Sequence, residues 1–311
     1  MGFAFNHQDV LQQDYDLVIA TSMVDLSSLR GFCPNLANTP TIVYFHENQF
    51  AYPVPNAQQN LVAIQLTSIY SALCANRVIF NSRYNRDTFV SGAQKLLMRL
   101  PDEVPKGLVE KIEQMSEILA VPISTDVTTY ERVTIHNKPV PEIVWNHRWE
   151  YDKQPDVFFK ALTKLKEDQV DFKLHLLGQS FRNSPECFHK AKEQFKEQII
   201  SYGYCERDKY LTILAQADVV VSSSLHDFQG LSMQEAIILG CVPVAPNRVA
   251  YPEYIEKTFL YDAASEEDEV SNLHAKLKEV ISGQVFKVPD LKDYYPASLI
   301  PLYRDLFNKV M

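Results

Sequence analysis

The stretch SLHDFQGLSMQEAIILGCVPVAP, residues 224–246, carries the clearest structural pattern in the chain. It predicts a loop, a helix over about residues 229–239, a tight turn and a buried strand, which is the repeating order of a parallel α/β sheet. Gly230 opens the helix, so the free N–H groups of Gly230, Leu231 and Ser232 are available to a ligand. Such a helix start, with the positive end of its dipole, is a typical phosphate site.

Two carboxylates accompany this helix start. Asp227 precedes the helix, and Glu235 follows eight residues later, in the second turn. Asp227 can accept hydrogen bonds from a sugar, and Glu235 from a ribose. The alternative is an ordinary helix capped by Asp227, with Glu235 in solvent.

The same strand–helix order runs through most of the chain. Several apolar runs do not alternate with polar residues, as expected for parallel strands covered on both faces. The predicted strands are 16–21, 41–46, 77–81, 142–146, 172–178, 218–223 and 241–245. Helical patterns fall near 56–75, 83–99, 103–117, 155–168, 185–198, 207–216, 229–239 and 266–282.

Composition excludes several classes of protein. The 311 residues include nine glycines, and the closest two are ten residues apart, so every two-glycine phosphate loop is excluded. The net charge of −9 is unlike that of a general nucleic-acid binder. Five scattered cysteines, no apolar run long enough to span a membrane and no signal peptide favour a cytoplasmic protein.

Two domains are expected from the length. The prolines of HNKPVPE, residues 136–142, interrupt both helices and central strands, which places the boundary there. We therefore predict an N-terminal domain over 1–137 and a second α/β domain over 138–290. A C-terminal amphipathic helix is expected within 291–311, with Pro301 in its first turn.

Two cations follow the first strand of the second domain. Arg148 and Lys153 lie five residues apart in WNHRWEYDKQPD, residues 145–156. Arginine can bind a diphosphate with two donors and lysine acts as a point charge, so the pair suits a diphosphate. The alternative is two solvated surface charges.

Polar groups also follow strands of the first domain. His46, Glu47 and Asn48 stand at one strand end, an arrangement that suits hydroxyl recognition or proton chemistry. Ser82 follows the next strand, where it can cap a helix or contact a ligand. No histidine pair has metal-ligand spacing, so no metal is expected.

Further turns of the second domain offer places for a nucleobase. Gly178 and Gln179 follow one strand, and Gly203 and Tyr204 precede a helix. Both pairs are also consistent with routine turns. The triplet Asp14-Tyr15-Asp16 precedes its strand and is interpreted as a turn, not as a metal–diphosphate site.

In combination and order, these motifs resemble glycosyltransferase family 4, and most closely its tRNA-queuosine α-mannosyltransferase group. The segments YFHENQFAYP, NSRYN, WNHRWEYDK and VAYPEY carry the narrower resemblance, which covers roughly residues 15–260. It implies the GT-B fold, two Rossmann-like domains facing a cleft, with a last helix that crosses back to the first domain. The first domain looks shortened at its N-terminus, where the family has a strand and a glycine loop.

The resemblance also implies a chemistry and a set of site residues. It implies a retaining transfer of mannose from GDP-mannose to queuosine in tRNA, with no cofactor or metal. Arg148 and Lys153 would hold the diphosphate, Asp227 the sugar and Glu235 the ribose, while His46 would meet sugar hydroxyls. The donor-binding set is completed by Gly178, Tyr204, Gly230, Leu231 and Ser232, and Glu47, Asn48 and Ser82 are assigned to the acceptor or sugar side.

Taken without the resemblance, the residues leave other functions open. One is a GT-B enzyme acting on a lipid or polysaccharide acceptor, or epimerising a sugar nucleotide. Another is a non-catalytic protein that binds a nucleotide sugar or tRNA. The best available basic residues, Arg83, Arg86, Lys95 and Arg99, can face tRNA phosphates. The oligomeric state stays open.

Overall fold

A computed structural model describes residues 2–52, 61–101, 103–130, 138–179, 185–282 and 288–311. The chain divides into two compact units. The first comprises residues 1–121 and 297–311, and the second comprises residues 122–296. Within the described residues, no helix combines the length and the apolar character that a membrane span needs.

The elements up to residue 118 build the first unit. They are α1 (Gly2–Asn6), α2 (Gln8–Leu11), β1 (Val18–Thr21), α3 (Leu26–Phe32), β2 (Thr41–Phe45), α4 (Leu61–Cys74), β3 (Arg77–Phe80), α5 (Arg83–Leu97), α6 (Leu108–Gln114) and β4 (Ser116–Ile118).

The elements that follow are α7 (Thr125–Thr128), β5 (Glu142–Asn146), α8 (Pro155–Glu167), β6 (Lys173–Leu177), α9 (Cys187–Gln194), β7 (Ile199–Gly203), α10 (Arg207–Gln216), β8 (Val219–Val221), α11 (Leu231–Ile238), β9 (Val242–Pro246), β10 (Leu260–Tyr261), α12 (Glu266–Ile281) and α13 (Pro296–Val310). The elements from α7 to α12 build the second unit, and α13 belongs to the first unit from Ala297 on.

The sheet of the first unit is parallel throughout, in the order β1-β2-β3-β4. Every residue of β2 is buried. Phe45 packs on one face of the sheet with Phe80 and Phe89. On the other face, Ile42 joins a cluster that includes Leu299 of α13. Covering on both faces explains why this strand is continuously apolar.

The sheet of the second unit has the order β10-β9-β8-β5-β6-β7, again with every pair parallel. The chain starts in the middle at β5, builds outward to β7 and then returns to β8 on the other side of β5. The crevice between β5 and β8 is therefore a topological switch point, where doubly wound sheets bind ligands beyond the carboxyl ends of their strands.

The unit boundary differs from the prediction at residue 137. The chain crosses between the units at Val121–Pro122 and again at Pro296–Ala297. Ile123 and Val127 pack in the core of the second unit, and the N–H of Ile123 donates to the carbonyl of Tyr294 at 2.9 Å. Apolar packing of 123–130 thus moves the boundary upstream. Residues 131–137 lie outside the described residues, and Pro139 and Pro141 lead into β5.

The seven predicted strands are confirmed, with ends shifted by at most two residues. The prediction missed β4, β7 and β10, which are short or partly polar, and it missed the helices α1, α2, α3 and α7. The placement of Pro301 was wrong, because α13 begins at Pro296 and Pro301 lies inside the helix. The turn at Asp14–Asp16 is confirmed as an irregular segment before β1.

Candidate functional site

The loop between β8 and α11 carries the predicted helix start. Gly230 is the N-cap of α11 and has a left-handed backbone, with φ of 77°. A Cβ at this position would lie 2.5 Å from the hydroxyl of Tyr254. The loop therefore needs glycine here, both for its conformation and for the approach of that tyrosine. The first N–H groups of α11 have no acceptor within the helix.

Lys153 is buried, which rules out the alternative of a solvated surface charge. It ends a 3₁₀ turn over Tyr151–Lys153 and is 7% exposed. Its ammonium donates to the carbonyl of His226 and lies 3.2 Å from Oδ2 of Asp152 and 3.8 Å from Oδ2 of Asp227. Two predicted site residues, Lys153 and Asp227, are thus brought together.

Asp227 belongs to a buried polar cluster. Its Oδ2 accepts a hydrogen bond from the hydroxyl of Tyr251 at 2.8 Å, and that hydroxyl lies 2.7 Å from Oγ of Ser222. Burial and the nearby carboxylate raise the pKa of Tyr251 well above its ordinary value. Tyr251 therefore stays protonated and donates to Asp227, which orients the carboxylate.

Asp152 adds a second negative charge beside the ammonium of Lys153. Burial acts to raise the pKa of this carboxyl, but the hydrogen bond to His226 and the adjacent Lys153 ammonium lower it to about 2. Two carboxylates, Asp152 and Asp227, therefore share one ammonium group. A buried charge needs such partners, because an isolated one is strongly disfavoured away from water.

Arg148 occupies a different environment from Lys153. Its side chain is 55% exposed, and its nearest acidic partner is Glu150, at 3.5 Å. It lines an open pocket of about 340 Å³ beyond the ends of β5, β6 and β7. An exposed guanidinium at a pocket wall can meet an anionic ligand without first breaking a strong ion pair.

The same pocket collects four more predicted residues, Gly178, Gln179, Tyr204 and Glu235. Gly178 has φ of 156°, and a Cβ there would lie 2.0 Å from the carbonyl oxygen of His147. Tyr204 is 69% exposed, so its ring is available for stacking. The other predicted donor-binding residues, Lys153, Asp227, Gly230, Leu231 and Ser232, are not among the described residues that line this pocket. Gly230 is buried, whereas Leu231 is 42% exposed.

Glu235 is tied to α10 by contacts that sequence reasoning missed. Its Oε1 accepts from Arg207 at 2.8 Å, and its Oε2 accepts from the hydroxyl of Tyr210 at 2.9 Å. The alternative of a purely solvated glutamate is therefore wrong. Arg207 and Tyr210 share one face of α10, but nothing in the local sequence connects that face to Glu235.

Two residues at the end of β5 were also missed. The amide of Asn146 donates to the carbonyl of Ser232 at 2.8 Å, which joins β5 to the first turn of α11. His147 is buried with Nε2 3.3 Å from the carbonyl of Val221, and burial lowers its pKa to about 4. The polar run after a strand, NHR at 146–148, was the available signal.

In the first unit, His46 follows β2 as predicted. Its ring packs 4.5 Å from that of Tyr44, and its carbonyl accepts from the amide of Asn81 at 2.9 Å. Burial lowers the pKa of His46, with the Glu47 charge acting in the opposite direction. The imidazole is therefore neutral at pH 7, and Glu47 lies beside it in the chain.

The structure corrects the assignment of Asn48 to a substrate-facing position. Asn48 is 1% exposed, its amide nitrogen donates to Oδ1 of Asn85 at 2.8 Å, and its Oδ1 accepts from the N–H of Phe50 at 2.9 Å. Ser82 caps α5 by accepting from the N–H of Asn85 at 3.0 Å. The side chain of Asn48 thus holds the backbone that follows β2, and the hydroxyl of Ser82 holds the first turn of α5.

Comparisons with known proteins show the family of the chain. A family model described as tRNA-queuosine alpha-mannosyltransferase N-terminal matches residues 2–123, and one described as glycosyl transferases group 1 matches residues 126–294. A tRNA-queuosine alpha-mannosyltransferase from Drosophila melanogaster is 32% identical over 305 residues, which span 95% of this chain and 81% of the fly protein.

Solved structures share the architecture at low identity. A glycosyltransferase from Rickettsia africae ESF-5 superposes with a TM-score of 0.65 at 14% identity, over 99% of this chain and 79% of that one. Sucrose-phosphate synthase from Thermosynechococcus elongatus has the same TM-score and identity, over 99% of this chain and 78% of that one. These likenesses show the GT-B fold, in agreement with the prediction.

Proposed function

Because the chain belongs to the tRNA-queuosine α-mannosyltransferase family of GT-B glycosyltransferases, we propose that it transfers mannose from GDP-mannose to queuosine in a tRNA. The 32% identity to the fly protein, over nearly the whole chain, supports this acceptor. The observation that carries the transferase site is the pairing of buried Lys153 with Asp227 beside the start of α11.

We propose that the donor diphosphate binds between Arg148, Lys153 and the N–H groups at the start of α11. Charge grows on the leaving phosphate as the glycosidic bond breaks. Fixed cations and N–H groups stabilise that charge best when they are already in place, and the burial of Lys153 supports such preorganisation. In this proposal the transfer needs no metal ion or other cofactor.

Asp227 and Glu235 then have separate roles. Asp227, oriented by Tyr251, accepts hydrogen bonds from hydroxyls of the donor sugar. Glu235, at the pocket wall, accepts from the ribose, and the exposed ring of Tyr204 stacks on the base. In the first unit, the neutral imidazole of His46 has both a donor and an acceptor for hydrogen bonds with hydroxyls.

For the acceptor, the exposed side chains of Arg83, Lys95 and Arg99 on and after α5 support contact with tRNA phosphates. A tRNA substrate, together with five cysteines that form no disulfide with one another, supports a cytoplasmic location.

The test measures transfer of labelled sugar from GDP-mannose and from UDP-sugars to tRNA with and without queuosine. We expect product only with GDP-mannose and queuosine-containing tRNA, and transfer slower by about 10²–10³-fold with the Lys153→Met variant. A matched Lys160→Met variant, altered at an exposed lysine of α8, should keep full activity. Transfer to a lipid or polysaccharide instead, or no transfer to any acceptor, would contradict the proposal.

A further inference from the structure

The carboxylate of Glu235 is held from two sides by α10. Arg207 donates to Oε1 at 2.8 Å, and Tyr210 donates to Oε2 at 2.9 Å. Arg207 and Tyr210 are three residues apart and therefore neighbours on the helix surface. Each carboxylate oxygen can accept more than one hydrogen bond, so both oxygens still have capacity for a ligand.

Arg207 is itself anchored on its far side. Its Nε donates to Oδ2 of Asp126 at 2.7 Å and its Nη2 to Oδ1 at 3.1 Å, a two-point ion pair with α7. The guanidinium carbon also lies 5.3 Å from the ring centroid of Tyr210. Although the Arg207 side chain is 41% exposed, these contacts leave it little freedom to rotate.

Tyr210 connects this arrangement to the end of β5. Its hydroxyl accepts from the amide of Asn146 at 3.1 Å, and the same amide donates to the carbonyl of Ser232 in α11. A continuous chain of hydrogen bonds thus runs from Asp126 through Arg207, Glu235 and Tyr210 to Asn146. Four of these five residues line the pocket, and Asp126 alone stands outside its wall.

We propose that Arg207 is a positioning residue, which presets the carboxylate of Glu235 to accept from the two hydroxyls of a nucleotide ribose. This inference rests on the proposed function, because it takes the pocket's ligand to be a nucleoside diphosphate sugar. A carboxylate that is already oriented loses less rotational freedom when the ligand binds, so the ligand binds more tightly. The effect falls on donor binding and leaves the chemical step unchanged.

The experiment compares binding of GDP and 2′,3′-dideoxy-GDP by calorimetry. We expect Arg207→Met to weaken GDP binding by about tenfold, which corresponds to one hydrogen bond to a charged group. Binding of the dideoxy nucleotide should change far less, so the variant should lose most of its preference for GDP over the dideoxy nucleotide. The same variant should raise KM for the donor with kcat nearly unchanged. Arg207→Lys, which keeps the charge, should recover part of the preference.

Two further variants separate positioning from folding. Asp126→Asn removes the outer anchor and leaves the pocket wall intact, and we expect a smaller loss in the same direction. Arg77→Met removes another ion-paired arginine, 3.6 Å from Glu117 in the first unit, and should have no effect on either nucleotide.

The outcomes distinguish this inference from the proposed function. The role of Arg207 is overturned if the unaltered protein prefers GDP over the dideoxy nucleotide and Arg207→Met retains that preference. This holds even if the variant melts at a lower temperature, and the proposed function then still stands. If the unaltered protein binds neither GDP nor UDP, the proposed function is overturned as well.

Discussion

The ammonium nitrogen of Lys153 lies 3.8 Å from Oδ2 of Asp227, and the two side chains are only 8% and 17% exposed. Oδ2 of Asp152 lies 3.2 Å from the same ammonium. One cation therefore pairs with two carboxylates in a largely buried part of the second unit. Its removal should affect both folding and catalysis.

Lys153→Met is expected to destabilise the protein by about 3–5 kcal/mol, because removal of one partner leaves buried charge uncompensated. The kcat/KM for sugar transfer should also fall by about 10²–10³-fold, by analogy with loss of a transition-state donor. Thermal melting and initial rates below the melting range check the two effects. Lys160→Met is the control, since Lys160 pairs with Glu266 at an exposed site. Equal behaviour of the two variants would contradict the assignment.

Arg148→Ala should separate catalysis from stability. The side chain is 55% exposed, and its one ion pair among the described residues is with Glu150 at 3.5 Å, so we expect the melting temperature to stay unchanged. The kcat/KM should nevertheless fall by about 10²–10³-fold if the guanidinium meets the donor diphosphate. Arg304→Ala, at an exposed position of α13, is the matched control. Full activity of Arg148→Ala would remove Arg148 from the phosphate site.

Alanine at Gly178 and at Gly31 should act in opposite directions. At Gly178 a Cβ would lie 2.0 Å from the His147 carbonyl oxygen and 2.7 Å from the Trp149 ring, so we expect a loss of about 1–3 kcal/mol. Gly31 lies inside α3 with nothing within 4 Å of its Cβ, and alanine there should stabilise by about 0.4–1 kcal/mol.

Denaturant midpoints measure both glycine changes, and binding of GDP adds a second readout. Gly178→Ala should weaken GDP binding because Gly178 lines the pocket, whereas Gly31→Ala should leave it unchanged. A stable Gly178→Ala variant with normal GDP binding would show that this backbone approach is not required.

The buried imidazole of His147 should make stability depend on pH. Burial lowers its pKa in the folded protein from 6.5 to about 4, so between these values the unfolded chain binds a proton that the folded chain excludes. The contribution of His147 to the free energy of unfolding is therefore fully present above pH 6.5. It is lost as the pH falls from 6.5 to 4, by about 3 kcal/mol in total.

The difference between variants isolates this contribution. His147→Asn should lose less stability than the unaltered protein between pH 7 and pH 4.5, while His189→Asn, at an exposed position of α9, should follow the unaltered protein. Urea midpoints at the two pH values provide the measurement. Parallel curves for all three proteins would argue against a neutral, buried His147.

Local patterns in the chain were sufficient for the α/β class, for seven of the strands and for the helix that starts beyond Gly230. Buried parallel strands are short apolar runs, and a helix start needs particular residues, so both leave a local signal. The four residues Arg148, Lys153, Asp227 and Glu235 were predicted to form one site, and that assignment stays a prediction. The structure places Arg148 and Glu235 at a pocket wall and pairs Lys153 with Asp227 in a buried cluster.

Folding supplied what local patterns could not contain. Arg148 and Lys153 look alike in sequence, yet one is exposed at a pocket wall and the other is buried between two carboxylates. Arg207 and Asp126 are 81 residues apart, and Arg207 and Glu235 are 28 apart. The boundary at Val121–Pro122 also depends on packing of residues 123–130 against distant side chains. Burial and ion pairing arise from chain segments that meet in space, and for that reason the chemical state of each site residue follows from the fold.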